Sequence, residues 1–403
     1  MPTSLLRHRI CLVIGTRPEA IKMAPVLAAL QQDPRIQPLV VATTQHREML
    51  QQALGIFGIT PDIDLDLMQA GQDLGTFTGR AIEALTDCFR THRPEYVLVQ
   101  GDTSTVCAAA LAAFYLDIPV GHVEAGLRSF DLAHPFPEEA NRRIATAVAT
   151  QHFAPTAEAR DNLLAEGIPP EDVLVTGNTV VDALQMIPPA AHFTTDALQA
   201  VAWQERPTLL VTVHRRESLG QGLLEVCSAL RTLHDRLDVN IVFPVHLNPR
   251  VRTPVRRHLD GLERVHLVDP LPYPDLLEVM RRSQLILSDS GGIQEEAPSL
   301  RKPILILRDT TERPECVTAG FGELVGTDHD TIVAQATILL TDPAAYARRT
   351  SGTNPFGDGQ AGVRIARAVY ERLQGIGSGA PRRRAPVATE ATSWTPLDNP
   401  VIE

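Results

Sequence analysis

Leu285-Ile286-Leu287, followed by Ser288-Asp289-Ser290-Gly291-Gly292-Ile293-Gln294-Glu295-Glu296-Ala297-Pro298, leaves few choices of local structure. A short apolar run that breaks at Gly-Gly and passes into Gln-Glu-Glu-Ala predicts a buried strand, a tight turn and the first turn of a helix. Such a turn suits an anion. Glycines let backbone N–H groups approach phosphate oxygens, and a helix start adds unsatisfied donors with a partial positive charge. Glu296, inside the opening helix, is placed to accept hydrogen bonds from a ribose. A lone Gly-Gly turn can equally join strand to helix and bind nothing, so the reading depends on what recurs elsewhere.

The strand–turn–helix pattern does recur. Residues 10–14 form a β-rich run ending at Gly15-Thr16-Arg17-Pro18-Glu19, after which Ile21, Ala24, Leu27, Ala28 and Leu30 return at helical spacing. Further strands are predicted at 39–43, 96–99 and 120–123, with helices near 75–91 and 104–116. After Pro188-Pro189 the pattern restarts, with strands at 208–213, 240–245, 265–267 and 304–307 and a helix at 222–235. Alternation of this kind predicts α/β architecture: two doubly wound, Rossmann-like parallel sheets with helices on both faces. A chain of 403 residues has room for two domains of about 180 residues each. Their predicted spans are 1–185 and 186–360, with a last helix at 361–373. From about Gln374 onward, Gly, Ala, Pro, Thr and Arg382-Arg383-Arg384 replace the periodic apolar residues, which predicts a disordered tail over 374–403.

Composition excludes several function classes. A net charge of −11 argues against general nucleic-acid binding, so positive charge for an anion must be concentrated locally. The five cysteines, Cys11, Cys88, Cys107, Cys227 and Cys316, show no CxxC spacing, which predicts reduced core thiols and neither a disulfide framework nor a zinc site. No apolar run is long enough for a signal-peptide core or a membrane span, so a cytoplasmic protein is expected.

In doubly wound sheets ligands sit beyond the carboxyl ends of the strands. The charged residues gather there: Arg17, Glu19 and Lys22 after the first strand, Gln45-His46-Arg47 after the second, Asp102 after the third and Glu124 after the fourth. In the second half His214-Arg215-Arg216-Glu217, His246 and the segment from Arg308 to Arg313 do the same. One side of a cleft thus carries carboxylates and the other an anion turn with arginines. This division suits a substrate with a diphosphate leaving group resting on Ser290, Gly291, Gly292, Glu296 and Arg313, and a reacting sugar near Asp102, Glu124 and Glu138. Arg17 and His214 would neutralise the departing charge. Structural readings stand beside these. Asp102, before Thr-Ser-Thr, also reads as a helix cap, and Glu138 and Glu139 as solvated first-turn carboxylates. His46, His214 and His246 also read as structural histidines, and Asp309 and Glu312 as ion-pair partners of Arg308 and Arg313.

Eleven ordered segments resemble the bacterial non-hydrolysing UDP-N-acetylglucosamine 2-epimerases. They are GTRPEAIKMAPV from Gly15, QHREML from Gln45, GDTST from Gly101, GHVEAGLRS from Gly121, PFPEEANR from Pro135, TGNTVVDAL from Thr176, HRRES from His214, PVHLNP from Pro244, DSGGIQEEAPSL from Asp289, LRDTTERPE from Leu307 and NPFGDGQA from Asn354. Gln100 departs from the pattern, standing where His is common before Gly-Asp-Thr.

The resemblance implies a glycosyltransferase-B type pair of domains, a last helix crossing back to the first domain, and a homodimer. It implies reversible interconversion of UDP-GlcNAc and UDP-ManNAc without metal or other cofactor, with no nucleic-acid or membrane partner. A sister activity on a related UDP sugar, such as a 2,3-diacetamido sugar, uses the same elimination. By resemblance, Asp102, Glu124, Glu138 and His214 are catalytic. Arg17, Lys22, Arg142, Ser290, Gly291, Gly292, Glu296 and Arg313 bind the UDP-sugar, with backbone contacts near Leu271 and Leu276. Gln45, Gln72, Glu138, Arg215 and His246 match a second, allosteric UDP-GlcNAc site.

Overall fold

The computed structural model describes residues 7–44, 47–69, 71–215 and 218–375. Gln45, His46, Arg216, Glu217 and the tail beyond Gly375 lie outside the described residues, so the expectations placed on them have no structural counterpart.

The first half carries β1 (His8–Ile14), β2 (Ile36–Ala42), β3 (Ile63–Asp64), β4 (Tyr96–Gln100), β5 (Val120–Val123), β6 (Gln151–Ala154) and β7 (Val173–Val175). They form one parallel sheet of order β3-β2-β1-β4-β5-β6-β7. Its helices are α1 (Arg17–Gln31), α2 (Arg47–Ile56), α3 (Leu74–His92), α4 (Ser104–Tyr115), α5 (Glu138–Val148), α6 (Ala157–Ala165) and α7 (Thr179–Met186). The second half carries β8 (Thr208–Thr212), β9 (Asn240–Pro244), β10 (Val265–Val268), β11 (Leu285–Ser288), β12 (Ile304–Ile306) and β13 (Gly322–Leu324), parallel and ordered β10-β9-β8-β11-β12-β13. Around it lie α8 (Gln221–Arg236), α9 (Pro249–Leu259), α10 (Tyr273–Arg282), α11 (Gly291–Glu296), α12 (Pro314–Thr318), α13 (His329–Thr341) and α14 (Pro343–Thr350), and α15 (Ala361–Leu373) ends the described chain.

Strand alternation explains why helices cover both faces of each sheet. Along β1, Ile10, Leu12 and Ile14 join a core with α1 and α15, while Cys11 and Val13 point the other way into a core with α3 and α4. In β8, Leu209 and Val211 pack toward α8 and α13, and Leu210 packs toward α10. All five cysteines are buried and free, as their scattered spacing predicts. Strands β3, β6, β7 and β13 went unread in the sequence: each is two to four residues long, and none runs into a charged motif of the kind that marks the equally short β5, β11 and β12. Among the described residues no helix is long and apolar enough to cross a membrane.

Strand order reverses between β1 and β4 in one sheet and between β8 and β11 in the other, and a doubly wound sheet binds its ligand at such a switch point. The segments beginning at Gly15, Gly101, Val213 and Asp289 are the four loops at these points, so the two sheets face each other as a glycosyltransferase-B type pair.

Helix α15 packs on α1 and α7 and buries Ile365, Ala366 and Val369 in the core of the first sheet. Contact is close at Gly362, where a Cβ would lie 2.7 Å from the Pro25 carbonyl oxygen. Asp182 of α7 accepts the Gly362 N–H at 2.8 Å, which caps the start of α15 from a neighbouring helix. Truncation of Ile365, fully buried, to Ala is expected to cost about 2–5 kcal/mol in urea unfolding, whereas Arg367→Ala on the exposed face stays within about 0.5 kcal/mol of the parent.

Candidate functional site

The loop after β1 needs glycine at its first position: a Cβ on Gly15 would lie 2.3 Å from Thr105 Oγ1 and 2.6 Å from Thr43 Oγ1. Glu19, buried in the first turn of α1, accepts the N–H groups of Gly15 and Thr16 and the hydroxyl of Thr103, the last at 2.6 Å. Burial raises the Glu19 pKa to about 7 despite these donors. Glu19 therefore ties the β1 loop to the β4 loop beside Asp102.

The cap reading of Asp102 does not hold. Thr103 caps α4, accepting the Val106 N–H, and the Asp102 carboxylate turns to α5, where Oδ2 accepts from Arg142 Nη1 at 2.9 Å. Arg142 also donates to Glu139, which takes the Ser129 N–H and Arg143 besides. Glu139 is fully buried, so the solvated first-turn reading fails for it: it serves as an anchor for Arg142. Behind this loop, His122 donates Nε2–H to the Gly101 carbonyl at 2.7 Å, and burial pulls its pKa down to about 4. Glu138, the first residue of α5, has a buried Oε2 without a hydrogen-bond partner.

Glu124 sits just past β5 in a left-handed conformation, φ 63°. Its Oε2 accepts from both Lys22 Nζ and Gln100 Nε2 at 2.6 Å. Lys22 donates in addition to Glu295 Oε2 at 2.7 Å, and Glu295 Oε1 takes Arg313 Nε at 2.9 Å. Arg313 reaches Glu312, which also pairs with Arg308. Burial works against the Lys22 charge, but Glu124 and Glu295 outweigh it and raise its pKa. The pairing reading of Glu312 thus holds, and Arg313 is bound within the same chain of charges.

Across the cleft, Asp289 accepts the backbone N–H groups of His214 and Arg215, each at 2.9 Å, and its Oδ1 pairs with His214 Nδ1 at 2.9 Å. Burial pushes the Asp289 pKa up, yet these hydrogen bonds and His214 hold it below the usual carboxylate value. The histidine ring, 43% exposed, is inclined at 23° to that of His246, with ring centroids 6.4 Å apart. His246 Nδ1 accepts the Asn248 N–H, the local pairing that its structural reading anticipates.

The glycine turn begins as the sequence predicts, with Ser290 at the N-cap of α11. Its two glycines differ. A Cβ on Gly291 would come within 2.8 Å of the Arg313 guanidinium, so that position is glycine because an arginine packs on it; Gly292 meets only Ser290 Oγ at 3.9 Å. Glu296 accepts from the Tyr273 hydroxyl at 2.9 Å, and burial raises the Glu296 pKa to about 7. Leu271 precedes α10, and Leu276 lies within it, donating its N–H to Pro272. Arg17 heads α1 and forms no hydrogen bond with the described residues; Gln72 is engaged by Leu67, Met68 and Arg80 and by none of the other candidates.

A cavity of about 680 Å³ opens between residues 127–131 of one half and Arg215 with residues 307–312 of the other. Sequence reasoning assigned no orienting role to five groups that hold the candidates in place: Glu19, Glu139, Tyr273, Asp289 and Glu295. Adjacency to a candidate in sequence was the available signal for Glu139, Asp289 and Glu295, which stand next to Glu138, Ser290 and Glu296. Tyr273, 23 positions from Glu296, gave none. Among the described residues no group of three or more His, Cys, Asp or Glu is arranged to hold a metal ion.

A family model described as UDP-N-acetylglucosamine 2-epimerase matches residues 28–370. The UDP-N-acetylglucosamine 2-epimerase of Salmonella typhimurium is 51% identical over 369 residues, which cover 90% of this chain and 98% of that protein. The structure of the UDP-GlcNAc 2-epimerase from Neisseria meningitidis bound to UDP-GlcNAc is similar with a TM-score of 0.84 at 46% identity, covering 90% of this chain and 100% of the other. The Methanocaldococcus jannaschii UDP-GlcNAc 2-epimerase in complex with UDP-GlcNAc and UDP has a TM-score of 0.76 at 33% identity, covering 90% and 99%.

Replacing Lys22 by Met would leave two buried carboxylates, Glu124 and Glu295, without their shared cation, and about 3–5 kcal/mol of stability should be lost near neutral pH. The sign of its pH dependence follows. Glu295 keeps Arg313, but Glu124, already raised by burial in the parent, would rise further above its unfolded value without Lys22, so the folded variant binds more protons and loses stability as pH rises. Thermal unfolding should show the gap between variant and parent narrowing from about pH 8 to about pH 5; a gap independent of pH would contradict the arrangement.

Proposed function

The chain belongs to the UDP-N-acetylglucosamine 2-epimerase family, and we propose that it interconverts UDP-GlcNAc and UDP-ManNAc by eliminating UDP and adding it back, without hydrolysis. The observation that carries this reading is the Lys22 ammonium held between Glu124 and Glu295, with Glu124 tied through Gln100 to the end of β4, two residues before the Asp102–Arg142 pair.

The C2 proton of the sugar has no adjacent carbonyl, so direct removal is slow. Breaking C1–O first gives an oxocarbenium ion whose C2 proton is far more acidic. A carboxylate takes that proton, leaving 2-acetamidoglucal and UDP; protonation at the opposite face of C2 and return of UDP complete the inversion. The reaction requires acid/base groups on both faces, a role suited to carboxylates held in fixed orientation. Asp102 and Glu124 each have one oxygen fixed by a cation, while Glu124 Oε1 and Asp102 Oδ1 form no hydrogen bond with the described residues. In this reading Glu138 completes the set, and its buried, unpartnered oxygen would be met by a sugar hydroxyl.

UDP would lie on the second half, the ribose at Glu296 and the diphosphate at Ser290, Gly292, Arg313 and Arg17. His214, held through Nδ1, presents Nε2 to the charge that develops as C1–O breaks. The first domain, 1–185, then supplies the carboxylates and the second, 186–360, the nucleotide site. A second UDP-GlcNAc at Gln72, Glu138, Arg215 and His246, a homodimer, and supply of ManNAc-type sugars for surface polysaccharide belong to the same proposal.

Proton NMR of the protein with UDP-GlcNAc in deuterated water tests it. UDP-ManNAc carrying deuterium at C2, with no build-up of free ManNAc, is expected. Unchanged, undeuterated UDP-GlcNAc would refute the epimerase reading, and accumulating free ManNAc would refute the non-hydrolysing one. Asp102→Asn and Glu124→Gln should each lower kcat by about 10²–10⁴-fold while UDP still binds in calorimetry, because these carboxyls act on the sugar.

A further inference from the structure

Lys22 and Glu124 belong to the first half, on α1 and just past β5, whereas Glu295 belongs to the second, on α11. The Lys22 ammonium lies 2.6 Å from Glu124 and 2.7 Å from Glu295, so it is shared almost equally. The two carboxylates are not otherwise equal. Glu295 has a second cation, Arg313, on its other oxygen at 2.9 Å, while the second donor to Glu124 is the neutral amide of Gln100.

We infer that Glu295 is a positioning residue that makes Glu124 the proton acceptor of this cleft: gripping Arg313 and half of Lys22, it remains the permanent anion and leaves Glu124 with one divided ammonium. The inference rests on the acid/base role proposed for Glu124.

A carboxylate paired one-to-one with a buried ammonium is a poor base, because the cation stabilises the ionised form. Dividing the ammonium, and setting a second negative charge behind it, weakens that hold. The groups acting on Glu124 are Lys22 from α1, Glu295 from α11, and Arg313 at the head of α12. Glu296, hydrogen-bonded to Tyr273 of α10, is coupled in turn to Glu295, Lys22 and Arg17 of α1. The balance falls in opposite directions for the two carboxylates. Burial, with Glu295 adding to it, raises the proton affinity of Glu124 beyond what Lys22 and Arg313 take back; for Glu295, Lys22 and Arg313 together overcome burial and lower it. A proton entering the cluster therefore goes to Glu124.

Glu295→Gln keeps the shape and removes the charge. Lys22 then acts undivided on Glu124, the anion of Glu124 is favoured, and its proton affinity falls. The acidic limb of the kcat/KM–pH profile for C2 deuterium exchange is expected to move down by about one pH unit, with about tenfold loss of rate above the limb as the base weakens. Glu295→Asp, which keeps the charge but reaches less far toward Lys22, should place the limb between those of Glu295→Gln and the parent. If Glu295 serves only to hold the fold, the rate drops by one factor at every pH and the limb stays put, which overturns the inference. Should Glu295→Gln fail to fold, Glu295→Asp carries the test: its shorter reach loosens the hold on Lys22, so its limb must lie below the parent's, and an unmoved limb overturns the inference.

Glu124→Gln in the same assay separates the two claims. If it abolishes the acidic limb, Glu124 is the titrating base and the Glu295 variants test positioning alone. If the limb survives, the role of Glu124 fails and the inference falls with it.

Discussion

Six charges of alternating sign run through the middle of the molecule: Glu124, Lys22, Glu295, Arg313, Glu312 and Arg308, with side chains no more than 13% exposed. Isolated, any one of them would be expensive to bury, since the interior cannot replace lost hydration. In sequence each is neutralised by its neighbours, and the series closes only when the first sheet and the second stand opposite one another. Residues separated by as many as 273 positions are joined at Lys22 and Glu295. The placement of the two sheets and the protonation of the cleft are thus set by the same bonds.

That dependence explains which parts of the protein were legible from sequence. A short apolar run rich in β-formers is a local signal, strengthened where a polar motif follows it; β1, β2, β4, β5, β8, β9, β10, β11 and β12 were read to within a few residues. Edge strands of two or three residues, such as β3, β7 and β13, carry no period of their own and are held by pairing to a neighbour already in place. The site divides in the same way. Loops at the strand ends were identified because motif and switch point coincide. Partners within the loops were not: Glu139 has the sequence of a solvated helix start but is enclosed by Arg142, Arg143 and the Ser129 backbone, all brought there by tertiary packing. Thr103 rather than Asp102 caps α4, a choice between adjacent residues that only the direction of the side chains decides.

The glycine turn shows how a correct local reading can have a different physical cause. Gly291 was read as a backbone that approaches a phosphate, and its missing Cβ is filled by the Arg313 guanidinium. Glycine there brings an arginine, itself held by Glu295, against the start of α11. For a protein of net charge −11, this is how positive potential is concentrated where an anion would lie, with the compensating carboxylates buried behind it.

The same construction occurs three times. Asp102 shares Arg142 with Glu139, Glu124 shares Lys22 with Glu295, and His214 is held directly by Asp289. In each case the rear carboxylate is at most 1% exposed, while the forward group is open to 27%, 6% and 43% respectively. The rear group has lost its water and depends on hydrogen bonds already made, so it has little freedom to turn. The forward group keeps one polar atom uncommitted and is fixed through the other. Orientation of each forward group is therefore set in advance by side chains buried behind it, which is the physical meaning of a preorganised site.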